Sequence, residues 1–344
     1  MKNRKYYILV IFNILISVSV SCFSQAGSGL YKFLDFSPSA RTTALGGMNV
    51  SLIDNDITML FSNPALLTEK THNMLSLNYA NFPAFMNGTA SYGYNLDARN
   101  YFGLGVQYDD YGTLIGKNEY NQDIGNFYVK DIALYLSYGR KLSESLTVGL
   151  SVKPIFLTAE QRTSFGLGVD VGMSYQSSGK DFSAGLVFKN IGTQLKGFYS
   201  EQTGQFTEPL PFNIEAGFSW KLLHAPLRFS FTLHDLNRWD LSYEIDNTRT
   251  KENLKKINFF DMAFRHTIIG IEFIPSNNFY VDLGYNHRRS AELSTTNFKS
   301  LAGFSIGAGV KISKFHFAFA MAQYQSGLNI YHFTLATSLE DFGL

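Results

Sequence analysis

Cysteine is nearly missing from this sequence: Cys22 is the only one in 344 residues. One thiol cannot close an internal disulfide, so packing and hydrogen bonding must hold the chain. Long hydrophobic runs are missing too. Although 45% of the residues are hydrophobic, no stretch reaches the ~18 consecutive apolar residues of a membrane-spanning helix. Neither sign of charge dominates: 29 Lys and Arg face 28 Asp and Glu, for a net charge of +1. So balanced a chain has no electrostatic footprint for nucleic acid or an acidic polymer.

Catalytic metal-site spacing is absent as well. The sequence has no H-E-x-x-H metal-ligand spacing. Gly103-Leu104-Gly105 and Gly166-Leu167-Gly168 resemble nucleotide loops only superficially, because both lie inside alternating segments and neither opens a helix. Asp54-x-Asp56 lacks the rest of a calcium loop, and Asp56 reads as a helix cap. His316 and His332 fall on neighbouring predicted strands, where they read as polar lumen filling rather than metal ligands. The reading is non-enzymatic, with no cofactor and no metal.

What is abundant is glycine (29), phenylalanine (31) and tyrosine (20), arranged with a period of two. In 145–176, Leu146, Val148, Leu150 and Val152 alternate with Thr147, Gly149, Ser151 and Lys153. Phe165, Leu167, Val169, Val171, Met173 and Tyr175 then alternate with glycine, serine and one acid, Asp170. Strict alternation places one set on each face of a strand. About fourteen such segments follow one another: 74–81, 89–96, 101–108, 131–141, 146–158, 163–176, 181–190, 212–221, 226–234, 267–274, 278–287, 301–312, 314–323 and 329–339. Away from the segment ends the apolar face carries no charged group, and the other holds Lys153, Asp170, Glu215, Arg228, Glu272, Asp282 and Lys311 among small residues. Ile268 and Tyr280 break the alternation.

Fourteen strands enclose too wide a space for their own side chains to fill, so the apolar face must look outward, into lipid. Glycine suits a crowded lumen better than a solvated strand surface. Tyrosines and Trp220 fall near predicted strand ends, as interfacial girdles require. The expected fold is all-β and transmembrane: an antiparallel outer-membrane barrel of about fourteen strands, with a partly helical N-terminal hatch.

Residues 1–26 read as a secretory signal peptide, with Lys2, Arg4 and Lys5 before an apolar core and Ser24-Gln25-Ala26 at its end. Cleavage there removes Cys22. Acylation of Cys22 is the alternative, although Ser19-Val20-Ser21 lacks the usual leucine. Residues 27–71 do not alternate and form the expected hatch, and 72–344 form the barrel. Short connections alternate with longer ones at 109–130, 191–211, 235–266 and 288–300. Short turns are periplasmic in bacterial barrels and longer loops extracellular, which predicts both termini on the periplasmic side. The longest loop carries Arg238, Trp239, Tyr243 and Arg249, candidates for binding a partner.

The hatch segment contains Ser39-Ala40-Arg41, Gly46-Gly47, Asp56 and Asn63-Pro64-Ala65. Together these are similar to the N-terminal signature of the FadL-like outer-membrane proteins. The resemblance implies a fourteen-stranded barrel and assigns these nine residues to the hatch motif. Within that superfamily, the chain length, the wording of 50–56 and the Ser-Gln-Ala signal end resemble the barrels of the type IX (Por) secretion system. That subgroup implies an anchor for a PorZ-like surface protein, in an attachment complex with PorU and PorV that processes exported cargo. PorU, not this chain, would carry the cleavage activity. The alternative is a FadL-like transporter of hydrophobic small molecules. Fatty-acid transporters of the superfamily are longer, with a larger outer capture region, and the terminal Leu344 departs from the aromatic residue common at barrel ends.

Overall fold

The computed structural model describes residues 29–117, 120–160, 162–200, 204–241, 257–293, 301–325 and 328–343. The signal-peptide assignment, with Cys22, lies outside them. The first half of the wall is β1 (Met74–Asn81), β2 (Met86–Asn95), β3 (Asn100–Lys117), β4 (Asp123–Lys141), β5 (Leu146–Ala159), β6 (Arg162–Gln176) and β7 (Phe182–Lys196). Then β8 (Phe198–Ser200) and β9 (Gly204–Phe206) form a small separate hairpin. The wall continues with β10 (Asn213–Lys221), β11 (Leu227–Leu233), β12 (Thr267–Ser276), β13 (Phe279–Asn286), β14 (Phe304–Ile312), β15 (Phe315–Gln325) and β16 (Leu328–Ser338). Wall neighbours pair antiparallel throughout, and β1 pairs with β16 from Met74↔Ser338 to Asn81↔Tyr331, closing a fourteen-stranded barrel. Among the described residues no helix is long and apolar enough to cross a membrane.

The alternation sets the sidedness. Leu77, Phe317 and Phe333 are about half exposed on the outer surface, whereas Ser76, Lys153 and Glu272 are buried inside. The two exceptions to the pattern both point inward, for a reason. Ile268 is buried against Gly46 of the hatch, and the Tyr280 ring lies over the Arg41 guanidinium, 5.1 Å from its centroid.

Two expected loops prove to be partly strand. Pairing of β3 with β4 resumes at Thr113↔Tyr128 and runs to Lys117↔Asp123, past a bulge containing Gly112 at φ +68°. β7 extends to Lys196 past a second bulge, where Asn190 takes φ +59° and both Lys189 and Asn190 are buried. A bulge inserts an extra residue and breaks the period of two, so the alternation stops before the strand does. The remaining connections carry α2 (Phe259–Arg265) and α3 (His287–Leu293); α1 (Ala40–Ala44) belongs to the hatch.

Residues 29–71 lie inside the barrel. They enter at the mouth that bears the long connections, where the Leu30 N–H donates to Glu208 and the Tyr31 hydroxyl meets Ser164. They leave at the opposite mouth, where the Asn73 N–H donates to the Gly93 carbonyl and His72 stands 3.9 Å from Glu340. The C-terminal end of the barrel, Glu340 included, shares that second mouth. The two ends of the described chain are therefore at opposite mouths, correcting the expectation that they share a side. The physical cause is the hatch itself, which must thread the lumen before β1 begins.

Candidate functional site

The site is the seam between hatch and wall. At α1, Ser39 is the N-cap, its Oγ accepting the Thr42 N–H at 3.3 Å. The helix ends after five residues in Gly46 and Gly47, at φ +98° and +104°, whose N–H groups donate to Thr43 and Thr42 carbonyls. A side chain at Gly46 would collide with Ile268 even if the left-handed backbone allowed one. This tight stop turns the chain back across the lumen.

Between these caps, Arg41 is the hub. Its guanidinium meets Asp54 at 2.7 Å, Glu272 at 2.8 Å and Asp56 at 3.8 Å. Arg228 on β11 closes the other side, 2.5 Å from Glu272 and 3.5 Å from Asp54. Two hatch acids, one wall acid and two arginines thus interleave across the seam. Burial alone would raise the Asp54 pKa; Arg41 and Arg228 outweigh it and hold the carboxyl at about 2. Asp56 also caps the turn Ile57–Phe61, its Oδ1 accepting the Thr58 N–H at 3.0 Å. Beside this network Asp282 is fully buried, and both its oxygens lack a hydrogen-bond partner.

Asn63, Pro64 and Ala65 sit apart from Arg41, against β5, β6 and β7. The Asn63 amide donates to the Val50 carbonyl at 3.1 Å and the Met173 carbonyl at 3.3 Å, while its oxygen accepts the Ala65 N–H at 2.9 Å. Ser174 donates to the Ala65 carbonyl at 2.7 Å. The seat is glycine: a methyl group at Gly149 would strike the Ala65 nitrogen, and one at Gly185 would strike the Val50 oxygen. Lumenal glycine here is a requirement of backbone approach, not only of crowding. A second ion network, Lys153–Asp170 at 2.6 Å and Lys189–Glu215 at 3.6 Å, stiffens the same wall.

Between hatch and wall, Tyr31, Phe33, Leu60, Tyr101, Tyr135 and Ile155 pack into one buried cluster. The internal cavity left beside Asp35, Lys189 and Glu215 is about 10 Å³, room for about one water. His332 faces inward but pairs with Ala320, whereas His316 pairs with Ala336, so register separates the two histidines.

At the long-connection mouth, Arg238 is 2.8 Å from Asp235, and Trp239 stacks on His266 and Phe259 at 5.3 and 5.2 Å. Burial would raise the Asp235 pKa, but His234, Arg238 and Arg288 hold it well below the usual carboxylate range. Tyr243 and Arg249 lie outside the described residues. The pattern had marked Glu272, Arg228 and Asp282 only as lumenal charges and Tyr280 only as an anomaly. The usable signal was that isolated lumenal charges of both signs require partners.

Compared with solved structures, the chain is similar to the Pseudomonas putida toluene transporter TodX, at 12% identity and a TM-score of 0.52, covering 88% of this chain and 96% of that one. A Pseudomonas aeruginosa FadL homologue matches at 11% identity and a TM-score of 0.51, covering 88% and 98%. The fold is that of the FadL-family outer-membrane barrels. A monoaromatic hydrocarbon channel, CymD, shares this FadL-like fold at 14% identity and a TM-score of 0.51, covering 88% and 96%. No protein-family model and no curated protein matches the sequence.

Proposed function

We propose that this FadL-like barrel is a hatch-gated outer-membrane transporter of hydrophobic small molecules. The observation that carries the reading is a lumen closed by its own N-terminal segment through noncovalent contacts, in a fold shared with hydrocarbon channels. The hatch is bonded to the wall on both sides, through Arg41–Glu272 and Ser174–Ala65, so passage requires the hatch to shift. The Arg41–Asp54–Glu272 seam is the place where it would release. The test is uptake of radiolabelled toluene and of a longer labelled lipophile by cells with and without the protein. Faster uptake in its presence is expected. Equal uptake, with the barrel shown to be assembled, overturns the reading.

A second reading is favoured by the close packing of hatch against wall and by the aromatic surface above it. Trp239, Phe259 and Phe260 are exposed at the long-connection mouth. In this reading the chain is a PorQ-like anchor of the type IX system. Its long connections face outward and hold a PorZ-like surface protein, in a complex with PorU and PorV. Affinity purification from membranes distinguishes the two readings. Co-purification of a surface protein, lost on deletion of 237–259 while the barrel still assembles, supports the anchor; uptake without such a partner supports the transporter.

A further inference from the structure

One well-formed concavity lies outside the lumen. It is a groove of about 510 Å³ on the outer wall, crossing five adjacent strands from β13 through β16 to β1. One bank is the cross-strand row Phe279, Val310, Phe317, Leu335 and Leu77. The other is Ala308, Phe319, Phe333 and Tyr79. Ala308 is the small member among large rings and opens the groove at that point.

The floor is backbone. Gly309, Ala318, Thr334 and Asn78 line it; Gly309 has no side chain, and those of Ala318, Thr334 and Asn78 point the other way, into the barrel. There they hold the hatch. The Thr334 hydroxyl accepts the Ala40 N–H at 3.0 Å, Ala318 packs on the Ala40–Ala44 cluster, and Gly309 lies against the Tyr280 ring that covers Arg41. Only one layer of backbone therefore separates the groove from the Ser39-Ala40-Arg41 motif.

We infer that this groove binds an acyl chain of a membrane phospholipid. The banks are continuous with the lipid-facing wall, so in an outer-membrane barrel the groove opens into hydrocarbon. A concavity of this size, lined by aliphatic and aromatic side chains without a charge, matches the dimensions and chemistry of a small-molecule site. Lys314 stands exposed at the turn leading into β15, three residues before Phe317, its ammonium 4.5 Å from the Phe342 ring centroid, and would offer a cation to the headgroup phosphate. The inference rests on outer-membrane placement and holds for either function proposed above.

The test is native mass spectrometry of the purified full barrel, released into increasing detergent after loading with dipalmitoyl phosphatidylethanolamine. The wild type is expected to keep one phospholipid after the others are stripped. Ala308→Trp fills the groove and is expected to lose that lipid, while Leu136→Trp, on the lipid face of β4, keeps it. Heat-modifiable migration on gels reports assembly; if Ala308→Trp does not assemble, Phe319→Ala, which removes a bank, is expected to weaken retention. A wild type that retains no lipid overturns the inference. So does equal retention by an assembled Ala308→Trp, or by Phe319→Ala where that variant carries the test.

Discussion

Arg41 shows what one residue can control. Its charge is buried, and it faces three acids from two parts of the chain. Removing one partner of a buried ion pair strands the others without compensation, at a cost of about 3–5 kcal/mol. Arg41→Ala is expected to loosen the hatch by that order, measured by hydrogen exchange of the hatch amides in the assembled barrel. Arg228 would still serve Glu272, so the loss should concentrate around Asp54. The acid side of the seam sets a pH dependence. Asp54 titrates at about 2 against an ordinary 3.8, so its contribution is complete above the ordinary value and disappears as pH falls through 2. Corrected for its intrinsic pH dependence, exchange of the amides around Asp54 should show an acid-induced rise below about pH 4 in the wild type. In Asp54→Asn that acid-induced rise should be smaller, because the titrating group is gone.

At the scale of elements, the strands and the hatch fit each other through absence of side chains. β5 and β7 present Gly149 and Gly185 where the Asn63-Pro64-Ala65 turn and Val50 approach. Gly185→Leu is expected to expel this part of the hatch while leaving the wall paired, because the collision is with the hatch backbone and not with a neighbouring strand. Labelling of a cysteine placed at Ala65 should rise in that variant; unchanged labelling would mean the hatch can repack elsewhere. The strands themselves were readable from alternation, since lipid and lumen impose opposite demands on successive residues. Their extensions past Gly112 and Asn190 were not, because a bulge breaks the period that reveals the strand. The Asp56 cap was also readable, being a local contact, whereas Arg41–Glu272 spans 231 residues and leaves no local trace.

Taken whole, the molecule is a closed wall around a peptide plug. The wall's ladder runs through all fourteen strands without the hatch, and β1 to β16 pairing closes it. A barrel lacking residues 29–71 is therefore expected to assemble and to expose a lumen lined by glycine, serine and ions of both signs. In planar bilayers it should conduct ions, while the full chain should not; a silent truncated barrel that migrates as folded would contradict the plug assignment.

By itself the sequence determined the class of architecture and the direction each face looks, because those follow from a residue-by-residue conflict between hydrocarbon and polar interior. It also marked the hatch by the loss of that alternation. Tertiary structure alone decided that the hatch threads from one mouth to the other, that Tyr280 turns inward to cover Arg41, and that small residues on one wall leave a groove outside it. Each of these depends on which distant backbone segments closure of the barrel brings together, and periodicity along a chain carries no such information.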